Sequence, residues 1–108
     1  MIEYEKLAIN LMRNCREGVL STVSKKYEGY PFGSFVTFIS GADRSIIFYA
    51  SDIAQHTINL KNNPKACITL FNLSEGDKQD SARLSLIGDV KKIDKDVEEI
   101  SRQFIEFF

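Results

Sequence analysis

Ser51, Gln55, His56, Thr57 and Asn59 stand close together where the sequence changes to a helical period, so they occupy the first two turns of a short helix. Unbonded backbone amides and the positive end of the helix dipole gather at such a start, and these side chains add neutral or titratable donors. A phosphate is the ligand that suits them. The same residues also describe an ordinary capped helix: Asp52 and Gln55 have the spacing of a capping box, His56 and Asn59 can be solvated, and Asp52 disfavours a dianion. Two further features bear on chemistry. Gly29, Tyr30, Pro31, Phe32, Gly33 and Ser34 place two glycines and two aromatics just before a strand, which either lets a flat ligand approach the backbone or anchors a loop by aromatic packing. Arg83 opens a strand among small and polar residues, and an outward guanidinium there serves either an anion or solubility.

Other chemistries find no support. His56 is the only histidine, so no Cys and His cluster can hold zinc and no Ser, His and acid set is recognisable. Cys15 and Cys67 are too few for a disulfide framework and read as small buried hydrophobes in a reducing cytoplasm. Neither the dinucleotide fingerprint nor a Walker sequence occurs. Fourteen Lys and Arg against fifteen Asp and Glu give a net charge of -1, without the basic excess that nucleic-acid binding requires. Apolar runs are too short for a membrane span, and the first ten residues do not read as a secretory leader.

The elements that would carry these residues follow from periodicity. In the 108-residue chain, Tyr4, Leu7, Ala8, Leu11, Met12 and Cys15 form the stripe of an amphipathic helix, with Gly18 marking its end. Residues 19–24, 32–39, 45–50, 66–72 and 82–90 are β-branched, aromatic or alternating and read as strands, with a probable bulge at Gly88. The helix carrying His56 spans residues 51–63 and is stopped by Pro64. Val97, Ile100, Phe104 and Phe108 line one face of a last, charged helix beginning near Asp94. Short connections between most strands predict a mainly β protein: one domain over residues 1–108, a small antiparallel barrel or sandwich flanked by helices.

Taken in order, GVLSTVS, GYPFGSFVTF, IIFYASDIAQHTINLKNNPKACITLF and ARLSLIGDVKKID resemble the FMN-binding split barrel of the pyridoxamine-phosphate-oxidase-like superfamily, and most of all its haem-utilisation (HugZ-type) branch. The HTINL segment at 56–60 with NNP at 62–64 is the most specific part, and GYPFGS is nearly as telling. The resemblance implies a six-stranded antiparallel split barrel that forms a homodimer with FMN in clefts between the subunits. It implies that the backbone of Ser34, Phe35, Val36 and Thr37 lies along the flavin ring. It places the phosphate on Ser51, Gln55, His56, Thr57 and Asn59, and Arg83 in the neighbouring subunit's site.

The oxidases proper carry arginine at the position of Ser34 and arginine and lysine at those of Gln55 and His56, which implies a weaker phosphate grip here; they also hold the vitamin with a carboxy-terminal arginine-rich segment that this sequence lacks, which implies no vitamin oxidation. The leading expectation is therefore a cytoplasmic flavoprotein that passes electrons to a small acceptor, the flavin supplying the redox chemistry. Two alternatives stand beside it: a haem-binding or haem-degrading protein, and a barrel without cofactor acting as a binding module. The apolar ending FIEFF looks short against the family, implying a dimer-dependent minimal barrel or a truncation.

Overall fold

The computed structural model describes residues 3–41, 43–71 and 82–93. The expected helix from Asp94 onward and the polar loop at 73–80 lie outside these residues.

The chain opens with helix α1, Glu3–Asn14, whose acidic first turn (Glu3, Glu5) and basic last turn (Arg13) complement the helix dipole. Only the later half of its apolar stripe is covered: Leu11, Met12 and Cys15 are buried, whereas Tyr4 and Leu7 face solvent. Gly18 does not end this helix. It lies inside strand β1, Glu17–Val23, where a Cβ would stand 2.7 Å from the carbonyl oxygen of Thr69, so its missing side chain lets β1 press against a neighbouring strand.

Strand β2, Pro31–Ser40, returns antiparallel along β1 through a turn in which the Ser24 amide donates to the Tyr30 carbonyl at 2.9 Å and the Tyr27 amide donates to Ser24 Oγ at 2.8 Å. Gly29 takes φ 88 there, a conformation that favours glycine. Strand β3, Ile46–Phe48, is shorter than its apolar run and pairs with the end of β2. Helix α2, Gln55–Asn62, ends before Pro64. Strands β4, Lys65–Phe71, and β5, Arg83–Asp89, complete one antiparallel sheet in the order β3-β2-β1-β4-β5. The bulge expected at Gly88 is absent: pairing runs unbroken from Lys65 opposite Asp89 to Phe71 opposite Arg83, with Gly88 opposite Ala66.

The register assigns every strand residue to a face, because residues directly opposite each other share one. Leu20, Val36, Phe38, Ile68 and Leu70 point inward and enclose a core with Leu11, Met12 and Cys15 of α1. Ile46, Phe48, Leu84 and Leu86 pack against it from the sheet edges. The mainly β split barrel read from the sequence is thus the observed fold, a curled antiparallel sheet with helices, and the described residues supply five of its strands.

Candidate functional site

The residues at the start of α2 divide by what their polar atoms do. Asn59 is fully buried, and its side chain is spent on the protein: Oδ1 accepts from the Lys25 amide and from Gln55 Nε2, both at 3.0 Å, while Nδ2 donates to Thr22 Oγ1 at 3.0 Å. Thr22 Oγ1 in turn donates to the Phe32 carbonyl at 3.5 Å. Asn59 is therefore a clamp joining α2 to β1 and to the loop after it. The site it positions starts one turn earlier.

At that turn the capping box expected from Asp52 and Gln55 does not form. The N-cap residue is Ala54, with no side-chain bond to the helix, and Gln55 reaches forward to Asn59 rather than back. Ser51 instead organises the approach, its Oγ accepting from the Ile53 amide at 3.4 Å and its carbonyl accepting from the Ala54 amide at 3.1 Å. Asp52 lies out in solvent, 3.8 Å from Lys61 Nζ, an exposed pair worth little. The first-turn amides of α2 thus have no side-chain cap.

Beside them, His56 Nε2 and Thr57 Oγ1 are buried atoms with no hydrogen-bond partner. Burial pushes the His56 pKa below its ordinary value, so the imidazole is held neutral near physiological pH. A buried polar atom without a partner costs roughly 1–3 kcal/mol, so this turn is chemically incomplete. A carboxylate or phosphate of a ligand would complete it with the uncapped amides.

The outer face of the sheet offers a second surface. Across four strands Phe35, Val19, Thr69 and Ser85 fall in one row, followed by Gly33, Ser21, Cys67 and Ile87 in the next. Phe35 is 66% and Ile87 88% exposed, and Thr69 Oγ1 lies 3.3 Å from Ser85 Oγ. Three interstrand steps make this platform about 14 Å wide, enough for a flat macrocycle or a flavin ring. Arg83 stands exposed at the start of β5, opposite Phe71, with no carboxylate partner among the described residues.

The expected site residues therefore separate. Alternation in β2 sends Phe35 and Thr37 to the outer face, while Val36 is buried in the core and Ser34, opposite Leu20, faces inward. Thr57 and Asn59 belong to the inner side of the sheet, so one chain does not gather the α2 group, Phe35 and Arg83 into a single cleft. Of the cysteines, Cys15 is buried, which raises its pKa, but Cys67 is half-buried on the outer face opposite Ile87. Asn59 as a clamp had no sequence signature, because its partners Thr22 and Lys25 are 37 and 34 residues away. Among the described residues there is no group of three or more metal-ligating side chains and no helix long and apolar enough to cross a membrane.

A curled antiparallel sheet whose inner face is closed by α1 is the half-barrel unit of the split-barrel proteins. The chain belongs to the CREG beta-barrel family, whose model matches residues 2–106. It is 43% identical over 72 residues to the "Non-canonical heme oxygenase HOZ, chloroplastic" of Arabidopsis thaliana, an alignment covering 67% of this chain and 22% of that protein. The chain thus spans about a fifth of the length of this curated relative. Among solved structures, a heme binding protein from Mycobacterium smegmatis superposes with TM-score 0.81 at 28% identity, over 95% of this chain and 42% of that one. HutZ, the heme storage protein from Vibrio cholerae, superposes with TM-score 0.75 at 21% identity, over 99% of this chain and 77% of that one, a likeness of fold.

Proposed function

We propose that this chain is a haem-handling member of its family, acting as the haem-utilisation (HugZ-type) branch does, as a homodimer that binds haem. The observation that carries the reading is the 43% identity to a heme oxygenase over 72 residues, 67% of this chain. The chemistry of the donor set agrees. Haem combines a flat apolar ring with two carboxylates, and this chain offers an apolar platform at Phe35, Val19 and Ile87 and unsatisfied donors at His56 and Thr57. Arg83, exposed and without a carboxylate partner among the described residues, suits a carboxylate. These groups lie on opposite faces of one sheet, which is the reason for invoking a second copy: two chains facing each other can present both sets to one ligand.

Haem, when bound, supplies the redox-active iron. The roles of the chain itself are to bury the ring, orient its carboxylates and exclude water. In the single chain Nε2 of His56 is buried, whether toward a carboxylate or toward a metal.

FMN, the leading expectation from the sequence, competes for the same donors, since its phosphate would suit the uncapped turn of α2 equally well. The named relatives, however, bind or break down haem. Separate titrations of the purified protein with hemin and FMN decide between them. A saturable Soret band, with no flavin bound at matching concentration, is expected; bound flavin without a Soret change would sink the haem reading. Replacing His56 by Ala should leave the Soret maximum in place, and analytical ultracentrifugation should find a dimer.

A further inference from the structure

Helix α2 is docked on the sheet by a polar residue. Asn59 is its buried side chain, whereas Leu60 packs only partly against the core and Ile58 is exposed. The bonds of Asn59 can run in one direction only. The Lys25 amide can only donate, so the atom it meets at 3.0 Å is the Asn59 oxygen, and Gln55, meeting the same oxygen at 3.0 Å, must turn its Nε2 toward it. That leaves Nδ2 for Thr22 Oγ1 at 3.0 Å, whose own hydrogen goes to the Phe32 carbonyl. Both ends of this chain are backbone groups flanking the turn between β1 and β2. The carboxamide therefore fixes where α2 stands and how it is rotated, which a non-directional apolar contact would not do.

One turn earlier the condition is the opposite. His56 Nε2 and Thr57 Oγ1 are buried without a hydrogen-bond partner, and no side chain caps the turn that carries them. Such atoms gain free energy by reaching water. The turn is thus held against its own preference, and the bonds of Asn59 are what the described residues offer to hold it.

We propose that Asn59 is the positioning residue of the candidate site: its carboxamide, anchored on Thr22 and Lys25, keeps the first turn of α2 in place so that His56 and Thr57 stay dry and unbonded until a ligand arrives. Asn59 is fully buried and acts through the helix, not on the ligand. Polar groups fixed ahead of binding spare the ligand the cost of ordering them. That the turn receives a ligand rests on the proposed function; that Asn59 holds the turn does not.

The test reads the single histidine of the chain, whose ring signals in NMR are unambiguous. In the parent protein the imidazole should titrate below its ordinary value, as burial dictates. Asn59→Ala should let the turn open and bring that titration up to the ordinary value. Two variants of Thr22 keep the test decisive if Asn59→Ala fails to fold, because Val fills the same space without the hydroxyl, whereas Ser keeps the hydroxyl and loses a methyl. Thr22→Val is expected to raise the His56 pKa and Thr22→Ser to leave it at the parent value, although the Ser variant is the one with the packing defect. A parent-like titration in Thr22→Val, or an equal rise in both variants, overturns the proposal. Hemin affinity should fall about tenfold in Thr22→Val and stay within about threefold of the parent in Thr22→Ser. An unchanged affinity in Thr22→Val, with hemin bound by the parent, also overturns it. Absence of hemin binding by the parent would defeat the haem reading instead, and the His56 titrations alone would then decide the role of Asn59.

Discussion

The two faces of the sheet are built from the same strands and behave oppositely. Inward, Leu20, Phe38 and Leu70 are almost wholly excluded from water, and helix α1 closes over them. Outward, Phe35, Val19 and Ile87 are apolar too, yet they remain open in one chain. The inner face is covered by partners within the chain, from α1 to β4, whereas Phe35 and Ile87 on the outer face are exposed among the described residues. On the proposed function, stability resides on one side and recognition on the other, and substitutions should separate the two.

The largest effect belongs to the inner face. Phe38→Ala removes a fully buried ring, and chemical denaturation should find about 3–5 kcal/mol lost, with the cofactor titration failing only because the fold does. Next comes the clamp between them. Asn59→Ala strands Thr22 Oγ1, the Lys25 amide and Gln55 Nε2, which should cost about 2–3 kcal/mol and loosen amide exchange at the start of α2. Gly18→Ala brings a methyl carbon within 2.7 Å of the Thr69 carbonyl oxygen, so β1 and β4 must part; about 1–3 kcal/mol should disappear from the unfolding free energy.

The outer face should answer differently. Phe35→Ser is expected to alter unfolding by no more than about 0.5 kcal/mol while weakening haem binding measurably in the Soret titration. A loss of stability comparable to that of Phe38→Ala would erase the distinction between the faces.

The smallest effect is a dependence on pH. The folded-state pKa of His56 is lowered by burial, so the unfolded chain takes up a proton before the folded one does. Its contribution is fully present above about pH 6.5, the ordinary value, and declines as pH falls below it toward the folded pKa. In His56→Gln the stability profile between neutral and mildly acid pH should be flatter than in the parent. A steeper slope would mean that His56 is not the group being titrated.

Which parts of this division were readable in the sequence depends on how far apart the interacting residues are. The strands were legible because alternation is local: FGSFVTFI already separates Val36 and Phe38 from Phe35 and Thr37. Helix α2 was legible from its period and from Pro64. Where the reading failed, a distant contact had taken over. Gly18 looked like a helix end and proved to be a site of close approach between strands, because the Thr69 carbonyl it accommodates lies 51 residues on. The capping box failed because Gln55 has a better partner in Asn59, itself fixed by β1. At Gly88 the chain needs no bulge, since nothing approaches its Cβ position and the ladder simply continues.

The candidate site shows the same boundary. Its residue types, donors at the start of α2 and aromatics before β2, are properties of the chain and were visible in it. The separation of Phe35 from Thr57 and Asn59 onto opposite faces of the sheet was not, because a face is assigned only when strands find their register. By itself the sequence determined the elements, their order and the alternation that makes one side of each strand apolar. Only the tertiary structure decided which apolar side would be buried, which polar atoms would be left without partners, and that Asn59 would face inward while Phe35 faces outward. Those outcomes depend on which residues the folded sheet brings together across long stretches of chain, and no local pattern specifies that.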